Sequence, residues 1–502
     1  MKRVAVVVAL AASSPGCSGG PESEGAVATP SAGDASTEAD VALPPDGAAD
    51  APDAPVPDAV TDALPDVAPD VSDDAAADAA ADATEDAPGG PFIPTEMRGG
   101  LIHTGPVPEK TPPSWNAHLP KLVGDGEYWY AVHTHFPQAV ADRYAAIMRR
   151  AVGSALDAWV EVARVSYPHQ PPGIVMDTSL RMHMVFDCLR PGSQDVTCFP
   201  GGAGTAGNTS RFYHLVFSAR DANGALRFDT YTNHDEWTGE SNGYQGIGTT
   251  SDGVTVWALA NSSWERVVQW WSSGAQYGTA ATLSVTPAYL LYPIIAGQPA
   301  LGSSQLVVYA GEFDPSGGNN ASYLASTAYS GSTSSLSQLF RRAPAQPEPG
   351  TVNAYPSDLA HDAHGTLYAL SYLPEGTGQC TELLRFEAGL AHPPTVVKVG
   401  CSSTYAKLKH ASDGALYLLT PGSGPNVTVG VSTDRGDNFS WYSVPITGLP
   451  SNGDVRYVGF TPVKPYTSPV AHEPDRWVVF FAGLDASDSA THSYVGEIDL
   501  AP

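Results

Sequence analysis

Four segments of this chain close a turn with glycine and run straight into an aromatic-rich strand. They are Gly126-Glu-Tyr-Trp-Tyr-Ala-Val132, Gly253-Val-Thr-Val-Trp-Ala-Leu259, Gly365-Thr-Leu-Tyr-Ala-Leu370 and Gly414-Ala-Leu-Tyr-Leu-Leu419. A recurring turn-then-strand unit signals a radial repeat, because each small sheet cannot bury both of its faces alone and must stack on its neighbours. From about Arg98 onward the chain is rich in Tyr, Trp, Val, Thr, Ser and Gly, with Asp-Gly and Asn-Gly turns and almost no long helical periodicity, which predicts an all-β fold. The Ala-rich stretch Gln138–Val165 reads as a strand Tyr144–Met148, a turn at Gly153 and Ser154, and a strand Trp159–Val165, rather than as a helix.

Counting strands gives seven four-stranded units, and hence a seven-bladed β-propeller over residues 98–502. Two blades are clearest. One comprises Ser357–Ala363, Thr366–Leu373, Thr381–Glu387 and Thr395–Val399; the next comprises Tyr405–Ala411, Ala415–Thr420, Val427–Ser432 and Phe439–Val444. The final unit offers only Val455–Thr461, Arg476–Gly483 and Ser493–Asp499. Its missing outer strand is expected from Gly99–His103 at the other end of the domain, so that N- and C-terminal strands close the last blade and no sheet edge is left open there.

Charge is distributed unevenly. Between Ser18 and Gly90 stand 18 Asp and Glu and no Lys or Arg, against a net charge of −28 for the whole chain. Residues 18–91, built from Ala, Asp, Pro and Val, are expected to be a disordered acidic linker, since they have too little apolar bulk to offset the entropy of ordering. Such a tether spans roughly 50 Å as a flexible coil. The remainder is mildly acidic, so binding of nucleic acid through phosphate neutralisation is not expected.

Residues 1–17 read as an export signal, with basic Lys2 and Arg3, an apolar run Val4–Ala12, and Ser14-Pro15-Gly16-Cys17, which resembles the end of a bacterial lipoprotein signal with lipidation at Cys17. Ser14 stands where that pattern usually has Leu, so cleavage without lipidation is the alternative. Ser18 after the cysteine implies, by the same resemblance, an outer-membrane lipoprotein facing the surface or the periplasm. No later window approaches the about 18 apolar residues of a spanning helix, so the membrane is met only through Cys17. The other four cysteines form two close pairs, Cys188 with Cys198 and Cys380 with Cys401. In an exported protein these read as disulfides, since zinc would call for two-residue spacings or adjacent histidines.

The most specific motif is Ser432-Thr-Asp434-Arg-Gly436-Asp-Asn438-Phe439. Asp434 can accept backbone N–H groups, Gly436 permits positive φ, and Phe439 can anchor a hairpin. This motif resembles the Asp box of sialidase-like, BNR-repeat propellers, where it is a structural turn between the third and fourth strands, away from the active face. The resemblance stops short of hydrolysis. A sialidase would need three arginines gripping a carboxylate and a Tyr–Glu nucleophile pair, and Arg98, Arg181, Arg211, Arg385 and Arg456 do not map onto such a set.

Other chemistry is sparse. His133-Thr-His135 puts two imidazoles on one strand face, a spacing metal ligands could use, but no third ligand stands at a fixed spacing. Asn233-His-Asp-Glu-Trp237 could coordinate calcium or hold a sugar on Trp237, though a solvated loop is the plainer account. No cofactor is required. The reading favoured is a monomeric, surface-anchored recognition or adhesion module for a cell-surface or extracellular glycan or protein. It would use the face opposite the Asp-box turn, lined by His135, Asp187, Asp235, Trp237, Tyr244, Glu312 and Tyr355. The rival reading is a carbohydrate-active enzyme, hydrolase or lyase, with paired carboxylates among Asp187, Asp235 and Glu312.

Overall fold

The computed structural model describes residues 91–104, 118–137, 142–188, 196–200, 205–206, 211–233, 245–261, 266–272, 281–282, 289–297, 305–313, 321–328, 337–342, 355–362, 364–375, 378–387, 393–400, 406–449, 461–462, 476–485 and 490–501. Residues 1–90, which hold the expected signal, Cys17 and the acidic segment, lie outside them.

The described elements are strands, and they fall into seven four-stranded antiparallel runs. Strand β1 (Met97–His103) comes first in the chain but belongs to the last blade. The first blade is β2 (Leu122–Gly124), β3 (Tyr128–His135), β4 (Tyr144–Ala151) and β5 (Val160–Ser166). In the second, β6 (Gly173–Met176) and β7 (Met182–Cys188) are separated from β10 (Arg211–Phe217) and β11 (Thr232–Asn233) by a small hairpin, β8 (Val196–Thr197) with β9 (Thr205–Ala206). The third is β12 (Gly246–Thr249), β13 (Thr255–Asn261), β14 (Arg266–Ser272) and β15 (Ala281–Thr282), and the fourth is β16 (Tyr289–Gly297), β17 (Gln305–Phe313), β18 (Ala321–Ala328) and β19 (Ser337–Arg342).

The fifth blade is β20 (Tyr355–His361), β21 (Leu367–Glu375), β22 (Gly378–Phe386) and β23 (Thr395–Gly400); the sixth is β24 (Lys407–His410), β25 (Leu416–Pro421), β26 (Asn426–Ser432) and β27 (Ser440–Thr447). These eight strands fall where the sequence pattern predicts them, with ends moved by a few residues. The seventh blade is β28 (Thr461–Pro462), β29 (Arg476–Asp485), β30 (Ala490–Asp499) and then β1, which pairs antiparallel with β30 from Arg98–Glu497 to His103–Ser493. The expected closure by the N-terminal strand is therefore present. β1 also makes a short parallel pairing with β27, at Met97–Ile446 and Arg98–Thr447, joining the last two blades into one sheet. Gly100 permits this position, because a Cβ there would lie 2.4 Å from the Leu156 backbone carbon.

Apolar side chains explain why the sheets stack. Middle strands are covered on both faces and read as continuous apolar runs, as in Leu416–Leu419, all buried; the outermost strands β23 and β27 alternate with solvent. Among the described residues, six of the interfaces between neighbouring blades each have an apolar core. Val123, Tyr130 and Val132 meet Met184 and Phe186; Val175 and Phe212 meet Ile247 and Val256. Farther round, Val307 and Tyr309 meet Leu359 and Leu384; Leu370 and Leu383 meet Leu408 and Leu416; Tyr417 and Val429 meet Trp477 and Phe481. Val478, Phe480 and Val495 then pack on Leu122, Ala131 and Ala146, which returns the ring to the first blade. At about 1.5–3 kcal/mol for each large apolar side chain taken out of water, a lone blade leaves most of this unrealised.

The four turn glycines named from sequence all adopt positive φ: 96° at Gly126, 66° at Gly253, 83° at Gly365 and 79° at Gly414. Each lies between the first and second strands of its blade. Cys188 and Cys198 are joined, with Cα atoms 6.2 Å apart. Cys380 is also disulfide-bonded, and its neighbour Thr381 pairs with Gly400; Cys401 lies outside the described residues.

Candidate functional site

Antiparallel four-stranded blades have two ends. Turns from first to second and from third to fourth strand share one end; turns from second to third strand and the connections between blades share the other. The Asp box occupies the β26–β27 turn, at the first of these ends. Asp434 Oδ1 accepts from Ser432 Oγ at 2.7 Å and from the Asn438 N–H at 2.9 Å, while its Oδ2 accepts from Asn438 Nδ2 at 2.7 Å. These donors, the Asn438 amide first, hold the carboxyl down at about 2. Gly436, at φ 90°, donates its N–H to Ser432 Oγ at 2.8 Å. Phe439 packs against the apolar cluster shared by the fifth and sixth blades. Ser432, Asp434 and Asn438 bond within their own loop, while Arg435 reaches Glu387 at 2.7 Å and Asp437 accepts from Arg385 at 2.9 Å on the fifth blade, so this end of the sixth blade is built as structure.

The opposite end carries the residues singled out as ligand candidates, on four different blades. His135 closes β3, Asp187 is next to last in β7, Glu312 is next to last in β17, and Tyr355 opens β20 beside the end of β21. Asp235, Trp237 and Tyr244 lie outside the described residues, as do the side chains of Glu312 and Tyr355. Asp187 points inward. It is fully buried, with Oδ2 3.0 Å from His169 Nδ1 and Oδ1 accepting the Gln170 N–H at 3.0 Å. Its carboxylate thus secures the connection between the first two blades.

His135 belongs to a larger constellation, at the seam where the ring closes. Its ring lies 4.8 Å from that of Tyr144, and the Arg164 guanidinium caps the same tyrosine at 4.0 Å. Arg164 is held by Glu161 through contacts of 3.0 and 2.8 Å. One layer deeper, His103 of β1 stacks on His133 of β3, centroids 4.3 Å apart and planes 18° apart. His133 is fully buried; its Nδ1 lies 2.6 Å from Ser493 Oγ on β30, and its Nε2 has no hydrogen-bond partner among the described residues. Burial, reinforced by His103, His135, Lys121 and His492, pushes His133 well below the ordinary 6.5. Burial also lowers His103, and brings the enclosed Lys121 ammonium down to about 7. The outcome is a run of flat polar rings, neutral at physiological pH in its depth and reaching solvent at Arg164 and Glu161.

The segment just before the first blade reaches across to later blades. His118 precedes the first blade, yet its Nε2 lies 3.2 Å from the carbonyl of Gln245, at the start of the third, and its ring meets Tyr292 of the fourth edge-on at 5.3 Å. Burial lowers His118 to about 3, and Lys121 and Lys407 add to the effect. Leu119 is packed on Gly173 and Ile247 of the second and third blades.

The His133-Thr-His135 spacing was the sequence signal that could have led to the seam. What it lacked was the partner surface, His103 and Ser493, which lie 30 residues before it and 360 residues after. Among the described residues no three His, Cys, Asp or Glu side chains are grouped so as to hold a metal ion.

No protein-family model and no curated protein matches this chain. Among solved structures it is similar to the polysaccharide lyase Uly1, with 12% identity, 82% of this chain and 100% of that chain covered, and a TM-score of 0.48. It is similar to the NanB sialidase from Streptococcus pneumoniae, with 13% identity, coverage of 81% and 71%, and a TM-score of 0.38. It is similar also to the GH93 α-L-arabinofuranosidase of Fusarium graminearum, with 8% identity, coverage of 80% and 98%, and a TM-score of 0.38. These likenesses are distant and say nothing of activity. This chain's own strand order, closing strand and Asp-box turn make it an all-β propeller, the architecture to which its sequence resemblance points.

Proposed function

We propose that this chain is an exported, lipid-anchored recognition propeller that binds a glycan at the outer end of the seam between its first and last blades. The observation that carries this reading is the column His135, Tyr144 and Arg164, in which a half-buried phenol ring, backed by a buried imidazole and lying under the exposed Arg164 guanidinium, sets an aromatic ring beside hydrogen-bonding edges. Sugars are recognised by that combination, since their C–H faces stack on rings while their hydroxyls take polar partners. The Asp-box end offers no comparable surface on the sixth blade, because its polar groups are taken up by one another and by Arg385 and Glu387 of the fifth blade. Cys17 and the acidic stretch 18–91 would hold the head away from the outer membrane as a monomer, with no need of calcium or another cofactor.

A glycan array run beside a fluorogenic glycoside panel tests this. Binding without turnover is expected, with Tyr144→Ala weakening affinity at least tenfold and Asp434→Ala leaving it unchanged. Binding should also survive chelation of divalent cations. Turnover would establish the rival reading, a carbohydrate-active enzyme, and an unsaturated uronate product would identify it as a lyase. If instead only a protein is retained, from solubilised outer membrane, the glycan is not the ligand. Cys17→Ala should shift the protein from the membrane fraction to the soluble one.

A further inference from the structure

We propose that the seam between the last and first blades is an acid-responsive latch, in which proton uptake by His103 and His133 loosens β1 and opens the ring.

The closing contact is built from groups that repel one another once charged. His103, at the end of β1, lies flat on His133 of β3, and His133 in turn reaches Ser493 of β30, so both partners of the closing strand pair touch the same imidazole. Cationic or titratable groups face this pair from every neighbouring element but β29. Lys121 stands just before β2, His135 is on β3, Tyr144 on β4, Arg164 and Glu161 on β5, and His492 on β30. From β29 the described neighbour is Phe480, an apolar ring 5.9 Å from Lys121 Nζ. Glu161 is the one carboxylate among these described groups. Its Oε2 lies 3.7 Å from His103 Nε2 and holds Arg164 at 2.8 Å.

Closed, the stacked pair resists protonation: at His133 burial and the neighbouring cationic groups act together, and at His103 burial outweighs the opposing Thr104 carbonyl and Glu161; released to water, both rings titrate near 6.5. Below that pH the open form binds the additional protons. Each such proton raises the opening constant about tenfold per pH unit. The strand to be released is β1, because it is held to β27 at only two residue pairs and to β30 along the edge that the histidines clamp.

Hydrogen exchange of the whole protein, corrected for intrinsic rates, reads this directly. Between pH 7.5 and 5.0, protection of the β1 and β30 amides should fall by at least tenfold per pH unit below 6.5, while β25 and β26 of the sixth blade change far less. In the double variant His103→Gln, His133→Gln the β1 response should vanish. If that variant does not fold, His103→Gln alone, at the partly exposed strand end, should reduce the slope by about half. The proposal is overturned if β1 protection follows β25 and β26 at every pH, or if the variants keep the wild-type slope.

Discussion

Tyr130 donates its hydroxyl to Asp125 at 3.2 Å, from the middle of the first blade's second strand to the turn that opens that strand. The pairing recurs as Tyr368 to Asp362 at 3.4 Å and Tyr417 to Asp413 at 3.2 Å. In each case the other carboxylate oxygen accepts backbone N–H groups of the glycine-bearing turn, such as Tyr128 at 2.7 Å and Thr366 at 2.8 Å. An aspartate, a glycine with positive φ and a buried tyrosine thus make one device, used on three blades. It explains why tyrosine stands in these strands: the ring fills the interface between blades and the hydroxyl secures the turn.

Removing the Tyr417 hydroxyl leaves the ring and deletes its half-buried contacts with Asp413 Oδ2 and the Phe92 carbonyl. Tyr417→Phe should therefore lower stability by about 1 kcal/mol, whereas Asp125→Ala, which abandons two backbone donors, Tyr130 and the Arg220 guanidinium at 2.7 Å, should cost about 3 kcal/mol. Calorimetric Tm values should rank wild type, Tyr417→Phe and Asp125→Ala in that order; an equal loss in both variants would refute the device.

The Asp box should govern stability without governing binding. Gly436→Ala introduces a side chain at φ 90° and 2.3 Å from Leu383 Cδ2, and is expected to cost about 1–3 kcal/mol. Ligand affinity, measured on the folded fraction, should stay at the wild-type value. Because the carboxyl of Asp434 is held at about 2, below its ordinary 3.8, its contribution is present above pH 3.8 and fades only as pH falls toward 2.

Ring closure should be broken by filling the space beside β1. Gly100→Val would drive its side chain into the Leu156 backbone and displace the strand from β30, at about 2–3 kcal/mol or more. Limited proteolysis should then cut near Met97–His103 first. A variant as resistant as wild type would show that the closing strand contributes little.

Acid should destabilise the fold as a whole. His118, His183 and His410 are held below 6.5, by burial in each case, so the unfolded chain takes up protons before the folded one. Stability is then full above about pH 6.5 and is lost as pH falls below it, at about 1.4 kcal/mol per pH unit for each fully shifted histidine. His118, lowered to about 3, acts over the widest window. Tm should drop steadily from pH 6.5 to 4.5, and His118→Gln should flatten part of that slope.

The sequence by itself determined the local units. Glycine-closed turns, runs such as Leu416–Leu419 and the Asp-box turn take their local conformation from residues within about ten neighbours, so their form is written in short stretches of sequence. Even the closing strand was legible, because the last blade lacked one strand and Gly99–His103 offered it. Tertiary structure alone decided which side chains meet across blades. Asp187 became a buried tie to His169, and His133 found His103 and Ser493, because stacking brings together strands hundreds of residues apart. The seam could not be read from one strand, since its chemistry exists only when both ends of the domain share a sheet.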